Sequence, residues 1–127
     1  MTGRRIRITA GSVFGIAKLR DTPTANKIWD TLPIKGSANL WGDEIYFSIP
    51  VEAATERDAT DIVSLGDVAY WPPGKAFCIF FGLTPASSGN TIRAASAVNV
   101  CGALEGDPLV FKKVRSREAV LIGKEVT

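Results

Sequence analysis

The sequence predicts a mainly β domain whose short strands roll into a closed barrel, and three observations point that way. Apolar and polar residues alternate with period two in several short runs, as in Ile45, Phe47 and Ile49 against Glu44, Tyr46 and Ser48. Turn signals built from Gly, Pro, Asp and Ser separate those runs. One early stretch alone keeps helical spacing. Closing many short strands on themselves leaves no sheet edge exposed, which favours a barrel over an open sheet. A chain of 127 residues suits one domain, residues 1–127, with a real core.

The elements follow in order. Ile6 and Ile8 alternate with Arg5, Arg7 and Thr9 as a first strand, Gly11-Ser12 turns, and Val13 to Leu19 returns as its hairpin partner. Asp21-Thr22-Pro23 is a helix start, a capping side chain followed by a proline whose missing N–H costs nothing in the first turn. Ala25, Ile28, Trp29 and Leu32 continue at helical spacing until Pro33. Ile34 to Leu40 is a strand that turns at Trp41-Gly42-Asp43, and Ile45 to Ile49 is the next. Residues 52 to 61 are polar and read as an exposed loop. Gly66-Asp67 opens a strand that closes at Pro72-Pro73-Gly74, and Ala76 to Phe81 is apolar enough to be covered on both faces. Thr84 to Ala95, with its Pro, Ser, Gly and Asn, reads as a long loop. Val98 to Leu104 is a strand, Asp107-Pro108 starts a short helical turn, and Ala119 to Ile122 is the closing strand.

Composition removes several function classes. There is no histidine, so a Ser-His or Cys-His nucleophile cannot be assembled within this chain. Cys78 and Cys101 have no metal-type spacing and are too few for a disulfide framework. The net charge of +2 is too small to call for a polyanion. Basic residues gather at Arg4, Arg5 and Arg7 and again at Lys112, Lys113, Arg115 and Arg117. No aromatic residue interleaves with them, so they read as solvated faces rather than a nucleic-acid surface. No apolar run reaches the length of a membrane span and the N-terminus is not a secretory signal, so the expected compartment is the cytoplasm. No metal or other cofactor is expected, and neither nucleic acid nor a membrane is an expected partner.

The most informative stretch is Asp67 to Phe81. Pro73-Gly74 suits the centre of a type II turn, and a two- or four-residue loop places Trp71 opposite Ala76 in either case. Tyr70 then faces Phe77, Ala69 faces Cys78, and Val68 faces Ile79. Alternation yields two sets. Val68, Tyr70, Phe77, Ile79 and Phe81 are uniformly large and apolar, the barrel core. Ala69, Trp71, Ala76, Cys78 and Phe80 mix small side chains with two rings, which outlines an outward hollow with an aromatic wall. Either a ligand or another part of the chain, such as residues 84 to 95, fills it. Glu44, Tyr46 and Ser48 lie opposite the core face of their own strand and reach the hollow's rim.

Three runs then carry a resemblance: Trp41-Gly42-Asp43-Glu44-Ile45-Tyr46-Phe47-Ser48, Gly66 to Gly74 with Ala76 to Gly82, and Ala95-Ser96-Ala97-Val98-Asn99-Val100. Together they resemble a small family of uncharacterised bacterial and archaeal proteins with an atypical cyclophilin-like barrel. Asp21 to Asn26 is also similar to the start of the first helix of true cyclophilins, and Val100 to Val114 to their final strand and helix. The resemblance implies an eight-stranded barrel with one main helix, a short second helical turn and a binding face outside the barrel. It implies a small-molecule or peptide binding module, a diverged peptidyl-prolyl isomerase, or an accessory subunit of an amide-hydrolysing enzyme. The candidate ligand-contact residues are Trp41, Glu44, Tyr46, Ser48, Ala69, Trp71, Cys78, Phe80, Arg93 and Asn99, with no catalytic residue among them.

The isomerase residues do not carry over. Cyclophilins place an arginine before the strand resembling Ile45 to Ile49, where this chain reads Asn39-Leu40-Trp41-Gly42. Their glutamine and phenylalanine fall on Ala76 and Cys78, and their late histidine falls near Val98. Rotating an X–Pro amide means crossing a resonance barrier of about 18–20 kcal/mol, which an enzyme lowers by holding the twisted amide better than the planar one. That needs a placed donor. In a protease-coupled assay on a proline tetrapeptide this chain is expected to give no more than background isomerisation. A cyclophilin-like rate, with contaminating isomerase excluded, overturns that expectation.

Overall fold

The computed structural model describes residues 4–125. Its ten strands are β1 (Arg5–Ala10), β2 (Val13–Leu19), β3 (Ile34–Ser37), β4 (Asn39–Leu40), β5 (Glu44–Ser48), β6 (Thr60–Val63), β7 (Asp67–Trp71), β8 (Ala76–Phe80), β9 (Ile92–Glu105) and β10 (Ala119–Lys124). One helix, α1 (Pro23–Thr31), and a 3-10 turn at Pro108–Lys113 complete the main elements. Thr22 caps α1, its side chain accepting from the Ala25 N–H at 3.2 Å, with Pro23 in the first turn. Ala25 and Ile28 enter the core, as their spacing requires.

The sheet runs β3-β10-β1-β2-β9-β7-β8-β5-β4, with β6 paired to β9 off that path. The expected closed eight-stranded barrel needs correction. The hydrogen-bonded ladder does not close, because β3 and β4 at its two ends do not pair with each other. They are instead consecutive pieces of one run, 34–40, joined through Ala38. Ala38 is buried and bonds to neither sheet neighbour. Its N–H donates to the Glu118 carbonyl at 2.8 Å and its carbonyl accepts from the Arg117 N–H at 2.7 Å. The first half of that run thus pairs with β10 and the second half with β5, and the ring is completed by the covalent chain. The wrapped sheet encloses a core to which β1, β2, β3, β5, β7, β8, β9, β10 and α1 all contribute.

The β7–β8 hairpin has the expected register: Trp71 opposite Ala76, Tyr70 opposite Phe77, Ala69 opposite Cys78 and Val68 opposite Ile79. Its loop differs from the expected type II turn. Pro72–Gly74 forms a 3-10 turn and Lys75, at φ 47°, takes the left-handed conformation. Gly74 is needed there for space, since a Cβ on it would lie 2.9 Å from the Trp71 ring.

A second correction concerns residues 84 to 95. The loop ends at Thr91, and Ile92 begins a 14-residue strand. The later half of β9 belongs to the main sheet between β2 and β7. Its first half pairs with β6 and packs Ile92, Ala94 and Val98 over the outer face of the β7–β8 hairpin. Strand β6 likewise lies partly inside the stretch expected to be loop. Every residue of β8 is consequently buried, as its continuous apolar run predicts.

Phe77 is fully buried in the main core, 5.8 Å centroid to centroid from the Phe47 ring. Phe77→Ala is expected to cost about 3–5 kcal/mol of stability in denaturant unfolding, as for other buried aromatic truncations. A loss below about 1 kcal/mol would mean that the inward face of the hairpin is assigned wrongly.

Candidate functional site

Outside the core, the β4–β5 turn, β5, β7 and the first half of β9 surround a pocket of about 210 Å³ lined by Trp41, Glu44, Tyr46, Trp71, Ala94, Ala95 and Val98. Its walls follow from local sequence. Glu44 and Tyr46 alternate with the core residues Ile45 and Phe47, so both face outward from β5. Trp41 is delivered by a two-residue hairpin turn in which Trp41 and Glu44 exchange backbone hydrogen bonds of 2.9 and 3.2 Å. Gly42 takes the first central position at φ 60°, where a hairpin turn of the II′ kind favours glycine. A side chain there would also strike Pro85 and the Leu83 carbonyl within 3 Å. The turn is tied to that neighbouring loop by Asp43 N–H to the Leu83 carbonyl, 2.8 Å. The Trp71 indole is held at both ends, its benzo edge against Gly74 and its Nε1–H donating to Ser96 Oγ at 2.7 Å.

Glu44 is the unusual member. It is 6% exposed, and no N–H or O–H of the described residues donates a conventional hydrogen bond to its carboxyl group. Its polar neighbour is the weak donor Cys78, a diagonal neighbour on β8. The carboxyl oxygens are open to the pocket rather than sealed. Burial raises the Glu44 pKa from 4.5 to about 7, with the Cys78 thiol acting weakly the other way. The thiol itself is pushed well above its ordinary range, by burial first and then by the adjacent carboxylate. It stays protonated and is a poor nucleophile.

Of the ten residues that the sequence singles out, the structure brings Trp41, Glu44, Tyr46 and Trp71 together round the pocket. Ala69, Cys78 and Phe80 lie beneath it, packed with Ala76 under Ile92, Ala94 and Val98, so this part of the expected hollow is filled by the chain itself. The other three do not converge. Ser48 sits at the exposed end of β5 and donates to the Gly74 carbonyl at 3.2 Å. Arg93 lies between Ile92 and Ala94, whose side chains face inward, so alternation turns it away, toward Asp61 at 3.1 Å. Asn99 pairs opposite Tyr70 on the core side and is fully buried. It accepts from the Glu56 N–H and donates to the Ala54 carbonyl and Thr24 Oγ1, tying the 54–56 loop and α1 to β9. Sequence reasoning missed Ala94, Ala95 and Val98 as lining residues, because that stretch was read in part as loop. The only signal was the short apolar-polar-apolar start Ile92-Arg93-Ala94, after which Ala94-Ala95 breaks the alternation.

Among the described residues no group of three or more His, Cys, Asp or Glu side chains converges as a metal site, and no helix is long and apolar enough to cross a membrane. Three of the seven residues in the basic clusters are ion-paired: Arg5 with Glu105 at 3.0 Å, Arg7 with Glu125 at 2.9 Å and Lys112 with Asp43 at 2.9 Å.

The Glu44 shift has a consequence for stability. Between pH 4.5 and about 7 the folded chain keeps a proton on Glu44 that the unfolded chain has lost. That contribution is complete below 4.5, declines as pH rises, and is gone once pH passes about 7. Asp67 is shifted in the same direction by burial, so the difference between two proteins isolates Glu44. Unfolding curves over a pH series are expected to show a steeper loss across this window in the wild type than in Glu44→Gln. Parallel pH profiles would contradict the assignment.

A family model described as cyclophilin-like matches residues 4–123. The chain is also similar to a hypothetical protein from Archaeoglobus fulgidus whose solution structure is known. The two are 45% identical, with 98% of this chain and 96% of that one covered and a TM-score of 0.82. No curated protein matches it. With the family model spanning nearly all described residues, and a wrapped sheet, early helix and late 3-10 turn in the expected places, this chain belongs to the cyclophilin-like family.

Proposed function

We propose that this chain is a binding module that receives a small molecule, or one side chain of an extended peptide, in the outward pocket. The observation that carries the reading is the pocket itself, about 210 Å³ with three aromatic side chains, small residues on the β9 side and one buried carboxyl group. Binding sites are typically concave, largely apolar and furnished with few polar groups. An apolar cavity of about 150 Å³ takes a benzene-sized molecule, so this one suits a single ring or a short branched chain. The surrounding structure pre-forms the site. Trp71 is pinned at both ends and the Trp41 turn is fixed by Gly42 and Asp43, which lowers the ordering cost of binding. The family frame supports the outer face as the place for a ligand, but isomerase chemistry has no matching donors there.

The test is native purification followed by mass spectrometry of any co-purifying small molecule, then titration of that molecule into variants. Trp71→Ala is expected to weaken its binding at least about tenfold, or roughly 1.4 kcal/mol, while costing far less stability than Phe77→Ala. Ala95 is exposed at the rim, so Ala95→Phe fills the pocket from outside. It is expected to block binding and to change stability by no more than about 0.5 kcal/mol. If Trp71→Ala unfolds the protein while Ala95→Phe leaves binding intact, the pocket is a packing defect and not a site.

A further inference from the structure

We propose that the pocket's occupant is an organic cation, an ammonium group of single-ring or short-chain size seated among Trp41, Tyr46 and Trp71 with the Glu44 carboxylate as its counter-charge. The proposal rests on the pocket being a ligand site and names what that ligand carries.

The argument starts from Glu44. A carboxyl group this far from water ordinarily has internal donors or a cation beside it. Other carboxylates of this region do: Asp43, next in sequence, holds Lys112, and Asp61 holds Arg93 across the β6–β9 pair. Glu44 has no cation and only the weak donor Cys78, yet its oxygens open into the pocket. The missing partner therefore has room in the pocket, and no lysine or arginine lines it. An anionic ligand would meet the carboxylate with no compensating charge. A purely apolar ligand would strip the last water from Glu44 and give nothing back. A hard metal ion needs several oxygen ligands, and one carboxylate with a phenol does not supply them. An organic cation satisfies the carboxylate and is attracted by aromatic faces, which is how aromatic cages select ammonium groups.

The protonation of Glu44 makes the idea measurable. Around it stand the Cys78 thiol of β8, which stays neutral, and the Tyr46 phenol of its own strand. Asp43 in the preceding turn is paired with Lys112, and Arg93 of β9 with Asp61. Cation binding must displace the Glu44 proton below about pH 7, so affinity for a cation should climb with pH and level off above that value. A neutral ligand of the same shape has no such slope.

The experiment titrates wild-type protein with benzylammonium, benzyltrimethylammonium, benzyl alcohol and benzoate, following the tryptophan indole N–H resonances by NMR and heat by calorimetry. Benzylammonium is expected to bind at least tenfold more tightly than benzyl alcohol, with affinity rising by up to tenfold per pH unit toward neutrality, and benzoate is expected not to bind. Binding of benzyltrimethylammonium places the selectivity in the rings and the charge; its exclusion places it in a hydrogen bond to Glu44. Either fits. Glu44→Gln should lose both the cation preference and the pH slope while still taking benzyl alcohol. Should benzyl alcohol bind wild-type protein as tightly as the ammonium, with a flat pH profile, the cation is wrong and the pocket reading stands. Should none of the four perturb the indole signals of Trp41 or Trp71, the proposal falls together with the pocket reading.

Discussion

Strand β8 is buried on both faces, and most of the architecture around the site follows from that constraint. One face supplies Phe77 and Ile79 to the main core, and the other, with Ala76, Cys78 and Phe80, must also leave water. A single sheet cannot cover both, so β9 is made long enough to serve twice. Its later half continues the main sheet and its earlier half crosses over the hairpin with β6. The change of role happens at Val98-Asn99, where Val98 faces the outer cluster and Asn99 the inner side. The buried Asn99 amide fixes that point by binding the 54–56 loop and α1 together. A bulge at Cys101, between the Val68–Gly102 and Ala69–Val100 pairs, adjusts the register just beyond it.

The pocket is where this second layer falls short. Ala94 and Ala95 are too small to meet Trp71, Tyr46 and Trp41, so the cover is tight over Cys78 and Phe80 and open over Glu44. Open here does not mean wet in the ordinary sense, because aromatic walls keep the local dielectric low. That is why a carboxyl group touching the pocket still titrates near neutrality. Desolvating a carboxyl group without giving it a donor costs stability. A fold that only needed packing at this position would be better served by an apolar residue, so folding alone gives no reason for an acid here, and the proposed ligand does.

What was legible in the sequence was whatever depends on local period and turn chemistry. The β7–β8 register could be read because Val68, Tyr70, Phe77 and Ile79 are uniformly large on one face while their alternates mix small residues with two rings, and because any short loop gives the same pairing. The outward position of Glu44 and Tyr46 was legible for the same reason. Long-range consequences were not. Nothing in Ile34 to Leu40 announces that Ala38 will leave the ladder and bond instead to residues 117 and 118, so a closed ring of hydrogen bonds was expected where the chain itself makes the join. The strand from Ile92 was hidden by Ala94, Ala95, Ser96 and Ala97, small residues with weak strand preference that pair only because β6 and the hairpin lie beside them. Missing it also misplaced Arg93, whose direction depends on being in that strand. Asn99 was misread differently: a polar side chain near a hollow suggests recognition, but its donors and acceptor are all consumed inside.

Family membership and chemistry separate at this pocket. The resemblance puts a cyclophilin arginine in the stretch ahead of β5, where this chain reads Asn39-Leu40-Trp41-Gly42, and a histidine near Val98; from these places Trp41 and Val98 line the pocket. In this chain an aromatic ring and a valine stand there, and the charged group in the pocket is the acid Glu44. A donor-bearing cationic site holds a carbonyl oxygen and steadies an amide as it twists. An aromatic pocket with a buried acid does the reverse, repelling partial negative charge and favouring positive. The resemblance sets side chains at those points on the outside of the wrapped sheet, while the residues occupying them are rings, a valine and an acid in place of cationic donors. Fold likeness therefore bears on where a ligand would sit and says nothing of which one; on the reading proposed above, that depends on Glu44 and the three rings around it.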